Sequence, residues 1–296
     1  MLASIPAFLR IPLACLLLAA NVVLHVTPLF VLTFFKIVIP VRPIRQAITH
    51  GLVAIAESWI AVNSWLFDTF TRIRWQVEGL DSIENHDNFL VVCNHQSWVD
   101  IPVLQKLFNR RVPFFRFFLK SKLIWVPLLG PAWWALDFPF MKRYSRQTLE
   151  AKPELRGKDR EATRRACEKF RSIPVSIMNF TEGTRFTPAK HDAQKSPYRH
   201  LLRPKAGGVA FVVDAMGDAM RSLLDVTIVY PQGAGSLMDL IAGRVREIRV
   251  HVRQLPILAE LRGDYDDDAV FRERFQAWVN DLWAQKDARI GRMLAE

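Results

Sequence analysis

The stretch VVCNHQSWVD, residues 91–100, decides how this chain is read. An apolar run ends at Cys93, polar Asn94 breaks it, His95 follows, and a carboxylate, Asp100, stands five positions after the histidine. Ser97 and Asp100 match the S-x-x-D signature of a helix start. On that reading Asp100 accepts backbone N–H groups and His95 is a loop residue. A chemical reading uses the same residues. Five residues of uninterrupted helix turn about 500°, which would put the two side chains on different faces. With His95 in the turn and Asp100 in the first helical turn, they meet. A carboxylate on one imidazole nitrogen fixes the tautomer and favours the protonated ring, leaving the other nitrogen as a base for a hydroxyl. The two readings are compatible, because a capping aspartate is also rigidly placed.

Outward from this stretch, strand and helix patterns alternate. FLVVC (89–93), PVSIMNF (174–180) and LLDVTIVYP (223–231) are short apolar runs, and REIRVHVRQLPI (246–257) alternates Ile248, Val250 and Val252 with charged partners. Between and after them lie helical patterns, over 158–172 and from Asp268 onward, the latter with Phe271, Phe275, Trp278, Val279, Leu282 and Trp283 on one face. Interleaved strands and helices predict an α/β domain, a central mostly parallel or mixed sheet flanked by helices, over residues 75–296. No linker divides it. Tyr265-Asp266-Asp267-Asp268 precedes a helix and reads as N-capping, not as a metal site. Gly233 and Gly235 form a lone GxG, weak evidence for a nucleotide.

The chain has 296 residues, half of them apolar, and a formal charge of +11. With that composition a disordered chain is not the default reading. The charge suits nucleic acid, an anionic membrane surface or phosphorylated substrates, and no nucleic-acid motif appears. Cys15, Cys93 and Cys167 are too far apart for a zinc ribbon or a disulfide framework, and Cys15 and Cys93 read as small buried hydrophobes in a reducing compartment.

The front of the chain, residues 1–74, reads as membrane-associated. Residues 11–35 contain no formally charged side chain. That run exceeds the ~20 residues a helix needs to cross a bilayer and is longer than a cleaved signal's apolar core. His25 and Pro28 interrupt it, which allows a kinked or tilted helix, or a re-entrant pair. A second apolar stretch, 51–70, carries Glu57 and Asp68 and reads as an amphipathic helix on the membrane or the domain in preference to a second span. Lys36, Arg42 and Arg45 lie beyond the first stretch, and the positive-inside bias places the rest of the chain in the cytoplasm, on an inner membrane.

A further stretch supports the chemical reading. In NFTEGTRF (179–186), Gly183 permits a tight turn and Arg185 supplies a rigid fork suited to phosphate; the plain alternative is a turn with a Glu182–Arg185 surface ion pair. His95 and Asp100 in NHxxxxD, followed by Glu182-Gly183-Thr184-Arg185, resemble the glycerolipid acyltransferase family, which contains the 1-acylglycerol-3-phosphate acyltransferases. Its other blocks follow in order: Lys120-Ser-Lys122-Leu123 with Pro127 and Gly130, then Phe138 to Arg143, then Arg203-Pro-Lys205-Ala-Gly207, then Ile228-Val-Tyr-Pro231. The chain departs from the family pattern at Thr181, where proline is usual, and at Lys122, where glutamate is usual.

The resemblance implies a membrane-bound enzyme that moves a fatty acyl group from acyl-CoA or acyl carrier protein to a lysophospholipid hydroxyl. Glycerol-3-phosphate or another lysolipid is the alternative acceptor. A non-catalytic protein that binds anionic lipid is the alternative of a different class. His95 would be the base and Asp100 its orienting acid. Arg185 would hold the acceptor phosphate, with Lys120 and Arg143 as further candidates. Glu182, in a substrate-binding tetrad with Gly183 and Thr184, would orient Arg185 or bind an acceptor hydroxyl. No metal and no cofactor beyond the acyl donor is implied. Phe114, Phe115, Phe117 and Phe118 around Arg116 read as core or membrane contact ahead of an acyl groove, and the arginines at 164 and 165 as a solvated face.

Overall fold

A computed structural model describes residues 2, 5–84, 88–141, 158–171 and 173–296. Its centre is a six-stranded sheet. The strands are β1 (Arg74–Glu78), β2 (Asn88–Cys93), β3 (Phe115–Phe117), β6 (Ser176–Phe180), β7 (Met220–Val229) and β8 (Glu247–Pro256), in the order β1-β8-β7-β2-β6-β3. All pairs are parallel except β7 with β8, so the sheet is mixed and mostly parallel as expected. A separate two-stranded parallel ribbon joins β4 (Leu119–Lys120) to β5 (Phe140–Met141).

Strand β2 reads as a continuous apolar run because both its faces are covered. Phe89, Val91 and Cys93 enter one core with the helix α3 (Asp100–Phe108). Leu90 and Val92 enter another with three helices, α5 (Lys158–Phe170), α7 (Ala206–Met216) and α9 (Ala269–Ala295). The period of two thus assigns each side chain to a layer. Asp268 caps α9 by accepting from Phe271 N at 3.0 Å, and Asp264 accepts from Asp266 N and Asp267 N. The acidic tract therefore serves the helix start.

The front of the chain is a helical hairpin, α1 (Ala7–Val38) and α2 (Arg42–Phe70). By length and composition α1 is apolar enough to cross a membrane, and most of it is exposed in the monomer. α1 is continuous through Pro28, so the re-entrant break among the expected shapes does not occur in this run. Cross-hairpin bonds brace it: Asn21 Nδ2 donates to Asn63 Oδ1 at 2.9 Å, and the His25 ring meets Ser58 Oγ at 3.1 Å. Both ends of α1 touch the folded domain. Arg10 donates to Ala242 O beside the short helix α8 (Leu237–Ile241), and Lys36 pairs with Asp137 at 2.8 Å beyond α4 (Leu129–Ala135). Those two residues are about 39 Å apart along a helix axis. A rod held to one domain at both ends lies along that domain and does not project from it.

The aromatic run before β4 is core. Phe115 packs under the sheet and Phe114 and Phe117 pack toward α1, α2 and α4. Arg116 is enclosed with them: its Nε donates to Leu136 O at 3.1 Å, Phe114 and Phe170 flank its guanidinium, and burial pulls its pKa down to about 10. Gly130 has no alternative, since a Cβ there would stand 2.1 Å from Ile124 O. On α5, Arg164 and Arg165 are exposed and bonded to Glu161 on the same helix.

Candidate active site

The site forms where β2 and its neighbour β6 end. Asn94 closes β2: its Nδ2 donates to Ile228 O and its Oδ1 accepts from Ile228 N, both at 2.9 Å, so the side chain continues the strand pairing to β7. The chain then turns through His95 and enters α3 at Asp100. The carboxylate of Asp100 is fully buried and every bond to it comes from a donor. Its Oδ2 accepts from Gln96 N at 2.7 Å and Ser97 N at 2.9 Å and lies 2.8 Å from His95 Nδ1. Its Oδ1 accepts from Tyr230 Oη at 2.7 Å. Asp100 thus opens the helix without capping it: Val99 is the N-cap residue and no side chain caps the helix, so the carboxylate serves the turn before α3 and the imidazole. The Ser97 hydroxyl departs from the capping box: it accepts from Val99 N and donates to Gly235 O at 2.6 Å, tying the turn to the GxG loop.

This arrangement sets the histidine tautomer. A carboxylate oxygen facing Nδ1 keeps the proton there and leaves Nε2 as the acceptor. Nε2 has no hydrogen-bond partner among the described residues, and the side chain retains 14% exposure. Phe180, the last residue of β6, stacks on the imidazole at 3.9 Å. Cys93 is no rival nucleophile, since burial raises its thiol well above the ordinary range.

The turn after β6 carries the EGTR tetrad. Glu182 differs from expectation. Among the described residues it forms no ion pair with Arg185; it is fully buried, its Oε1 accepts from His95 N at 3.0 Å and its Oε2 from Leu202 N at 3.1 Å. Backbone donors at 95 and 202 would otherwise be orphaned, and they draw the carboxyl inward. Burial pushes its pKa up to about 7, against the two backbone bonds. Gly183 adopts φ +70°, and the Lys205 stem passes close to where a Cβ would stand, its Cδ 3.1 Å away. Thr184 Oγ1 accepts from Lys190 Nζ at 2.8 Å. Arg185 is exposed, with its guanidinium over the Trp98 ring at 4.7 Å. The two turns are joined by Phe186 N donating to His95 O at 2.7 Å.

Of the other expected anion ligands, Lys120 is exposed on β4, and no hydrogen bond or ion pair among the described residues joins it to the His95 turn; Arg143 lies outside the described residues. Tyr230, Trp98 and Phe180 are site residues that sequence reading did not single out. Among the described residues no three His, Cys, Asp or Glu side chains gather as a metal would need.

The geometry now has an independent counterpart in sequence. The model of the Acyltransferase family matches residues 74–231, which run from β1 to the proline after Tyr230. The chain belongs to the Acyltransferase family. It is 26% identical to lysocardiolipin acyltransferase 1 of Danio rerio over 257 residues, 80% of this chain and 60% of that one. It is 23% identical to human 1-acyl-sn-glycerol-3-phosphate acyltransferase delta over 259 residues, 83% of this chain and 61% of the relative. The chain thus spans about three fifths of the length of these curated relatives. Among solved structures it resembles the 1-acyl-sn-glycerophosphate acyltransferase PlsC from Thermotoga maritima, with a TM-score of 0.52 and 18% identity over 94% of this chain and 98% of that one. That likeness is one of fold.

Proposed function

We propose that this acyltransferase moves a fatty acyl group from an acyl thioester to the free hydroxyl of 1-acylglycerol-3-phosphate, forming phosphatidate. The observation that carries the reading is the buried Asp100 holding His95 Nδ1 at 2.8 Å while Nε2 has no hydrogen-bond partner among the described residues. The acceptor oxygen attacks the thioester carbonyl carbon as Nε2 takes its proton. Collapse of the tetrahedral intermediate expels the thiolate, which recovers the proton from the imidazolium. The acceptor is itself the nucleophile, so no acyl-enzyme is required, and a thiolate leaves readily enough that no cofactor enters the scheme. General-base action of this kind contributes about 10²- to 10⁴-fold. Holding donor and acceptor together supplies much of the rest. Arg185, free of any carboxylate partner among the described residues, receives the acceptor phosphate. Lys120 and Arg143 are second candidates for that anion, and Gly183 and Thr184 shape the turn that presents Arg185. The donor is acyl-CoA or an acyl carrier protein.

The front of the chain, residues 1–74, through its hairpin of α1 and α2, places residues 75–296 on the lipid surface. Exposed Phe8, Leu16, Leu24, Phe34 and Ile37 give α1 a face for the hydrocarbon, and contacts at both ends fix that face relative to the domain. The formal charge of +11 directs the domain to an anionic, cytoplasmic leaflet of the inner membrane. The test uses membranes carrying wild type or His95→Ala at equal abundance, supplied with labelled acyl-CoA and 1-acylglycerol-3-phosphate. Labelled phosphatidate should form with wild type alone. Equal product above an empty-vector control would remove His95 as the base.

A further inference from the structure

Two charged residues occupy places that the fold's own pattern reserves for apolar ones. On β7, alternation sends Leu223 and position 225 to the α9 side of the sheet, and position 225 is an aspartate. On α9 the buried stripe runs through Leu282 and Ile290, and between them stands Lys286, with 0% side-chain exposure. The two meet: Lys286 Nζ lies 2.5 Å from Asp225 Oδ1 and donates to Val226 O at 2.6 Å and to Thr227 Oγ1 at 3.2 Å. Arg253 of β8 takes the other oxygen of Asp225 at 2.7 Å and reaches Gln285 at 2.8 Å. A buried pair of this kind is no better for stability than apolar residues of the same size, so it invites a functional account.

Above it opens a cavity of about 210 Å³, lined by Asp225, Arg253, Gln285, Lys286, Arg289 and Arg292. Four cations face one carboxylate, and that carboxylate is already paired with two of them, Arg253 and Lys286. Arg289 and Arg292 have no hydrogen-bond or ion-pair partner for their side chains among the described residues, and no acidic group other than Asp225 lines the cavity. Four positive groups around one small space repel one another unless an anion joins them.

We propose that this cavity binds the phosphate groups of a soluble phosphorylated molecule. Guanidinium forks match phosphate oxygens in pairs, and the recessed ammonium adds a fixed charge at the floor. The cavity lies on the α9 side of the sheet, whereas Phe67 of the lipid-facing hairpin packs with α3 on the other side. A membrane headgroup therefore does not reach it, and a molecule from solution does. The site is separate from Arg185, but not isolated from the catalytic turn: Lys286 lies near enough to favour the charged form of Glu182, which holds His95 N. Phosphates of the acyl donor and of a free effector share the required chemistry.

Binding is read without turnover, so the outcome stands apart from that of the acyl-transfer assay. Full-length protein in detergent is titrated calorimetrically with inorganic pyrophosphate at low salt, for wild type, for Arg289→Ala with Arg292→Ala, and for Arg164→Ala with Arg165→Ala, which removes equal charge on α5. Wild type and the α5 variant should saturate alike, and the α9 variant should bind at least about tenfold more weakly, as loss of charge-assisted bonds requires. Absence of saturation in wild type, or equal weakening in both variants, would overturn the site. Should the double α9 variant not fold, the exposed Arg292→Ala alone carries the same comparison, with a loss of severalfold. Coenzyme A in excess then displaces the pyrophosphate if the donor's phosphates are the ligand, and leaves it bound if the ligand is an independent effector.

Discussion

The turn after β2 and the turn after β6 lie side by side, bonded to each other, and they are built in opposite ways. In the first, a buried aspartate accepts from two backbone groups and a tyrosine and faces the imidazole of His95, so the histidine has one position available to it. In the second, the residue that would meet the substrate, Arg185, is exposed and rests on an exposed tryptophan, while only Glu182 of its tetrad is driven into the core. The difference teaches a division of labour. The group that transfers a proton needs its orientation fixed before the substrate arrives. The group that grips a phosphate on a mobile lipid gains from a long side chain able to follow it.

The sharpest way to break that contrast is Asp100→Asn. An amide keeps one oxygen for the donors at His95, Gln96 and Ser97 and turns its nitrogen to the tyrosine oxygen, so the shape survives and the charge is lost. Turnover should fall by about 10²- to 10⁴-fold with little change in KM, because the imidazolium loses its stabilising partner. Near-wild-type turnover would make Asp100 a brace for the turn's backbone and nothing more. Arg185→Ala ranks second. It should raise KM for the phosphorylated acceptor by about 10- to 100-fold, the equivalent of one or two charge-assisted bonds, and leave kcat the less affected. A kcat loss at constant KM would move Arg185 from grip to chemistry.

Glu182→Gln tests whether the buried half of the second turn belongs to the first. Its carboxyl titrates at an ordinary 4.5 when unfolded and at about 7 when folded. A group whose pKa is raised by folding contributes stability that is complete below pH 4.5 and is lost as the pH climbs to about 7. Glutamine removes that titration, so denaturant unfolding at pH 5 and at pH 7.5 should show a smaller drop for the variant than for wild type. The amide must also point an N–H at His95 N or Leu202 N, which costs about 1–3 kcal/mol at either pH. Identical pH slopes for the two proteins would mean that another group governs this window.

How much of this was legible beforehand depends on how far apart the partners are in sequence. The β2 strand, its turn and the cap at Asp268 could be read because each is a local pattern: an apolar run covered on both faces, a polar break, an acid just before a helix. The front hairpin was legible as apolar helices, but not in its pairing, since the partners of Asn21 and His25, Asn63 and Ser58, lie 42 and 33 residues further along the chain. β1 was missed because its exposed–buried alternation places Arg74, Gln76 and Glu78 on the outer face of an edge strand. β3 was missed because three residues inside an aromatic run carry no period. Within the site, His95 and Asp100 are neighbours on the chain, whereas Tyr230 reaches Asp100 across 130 residues and Glu182 reaches His95 across 87. Burial turned Glu182 from an expected surface partner of Arg185 into a brace for the catalytic turn, and only the three-dimensional neighbours reveal it. Asp225 and Lys286 were visible as charges inside apolar patterns, but each becomes informative only when the other is found facing it.

Trp98 yields the smallest effect and the finest test of the contrast. It belongs to the first turn, yet its indole is half exposed and supports the guanidinium of the second one at 4.7 Å. A cation over an aromatic face at an exposed site is worth about 0.5–1 kcal/mol. Trp98→Ala should therefore raise acceptor KM by about two- to fivefold with kcat unchanged, and Trp98→Phe, which retains a smaller ring face, should recover part of the loss. The Trp98→Ala, Arg185→Ala double variant should be no worse in KM than Arg185→Ala alone, because the tryptophan acts through the arginine. Additive losses would show instead that the indole meets the acceptor itself, and the first turn would then share in the grip as well as the chemistry.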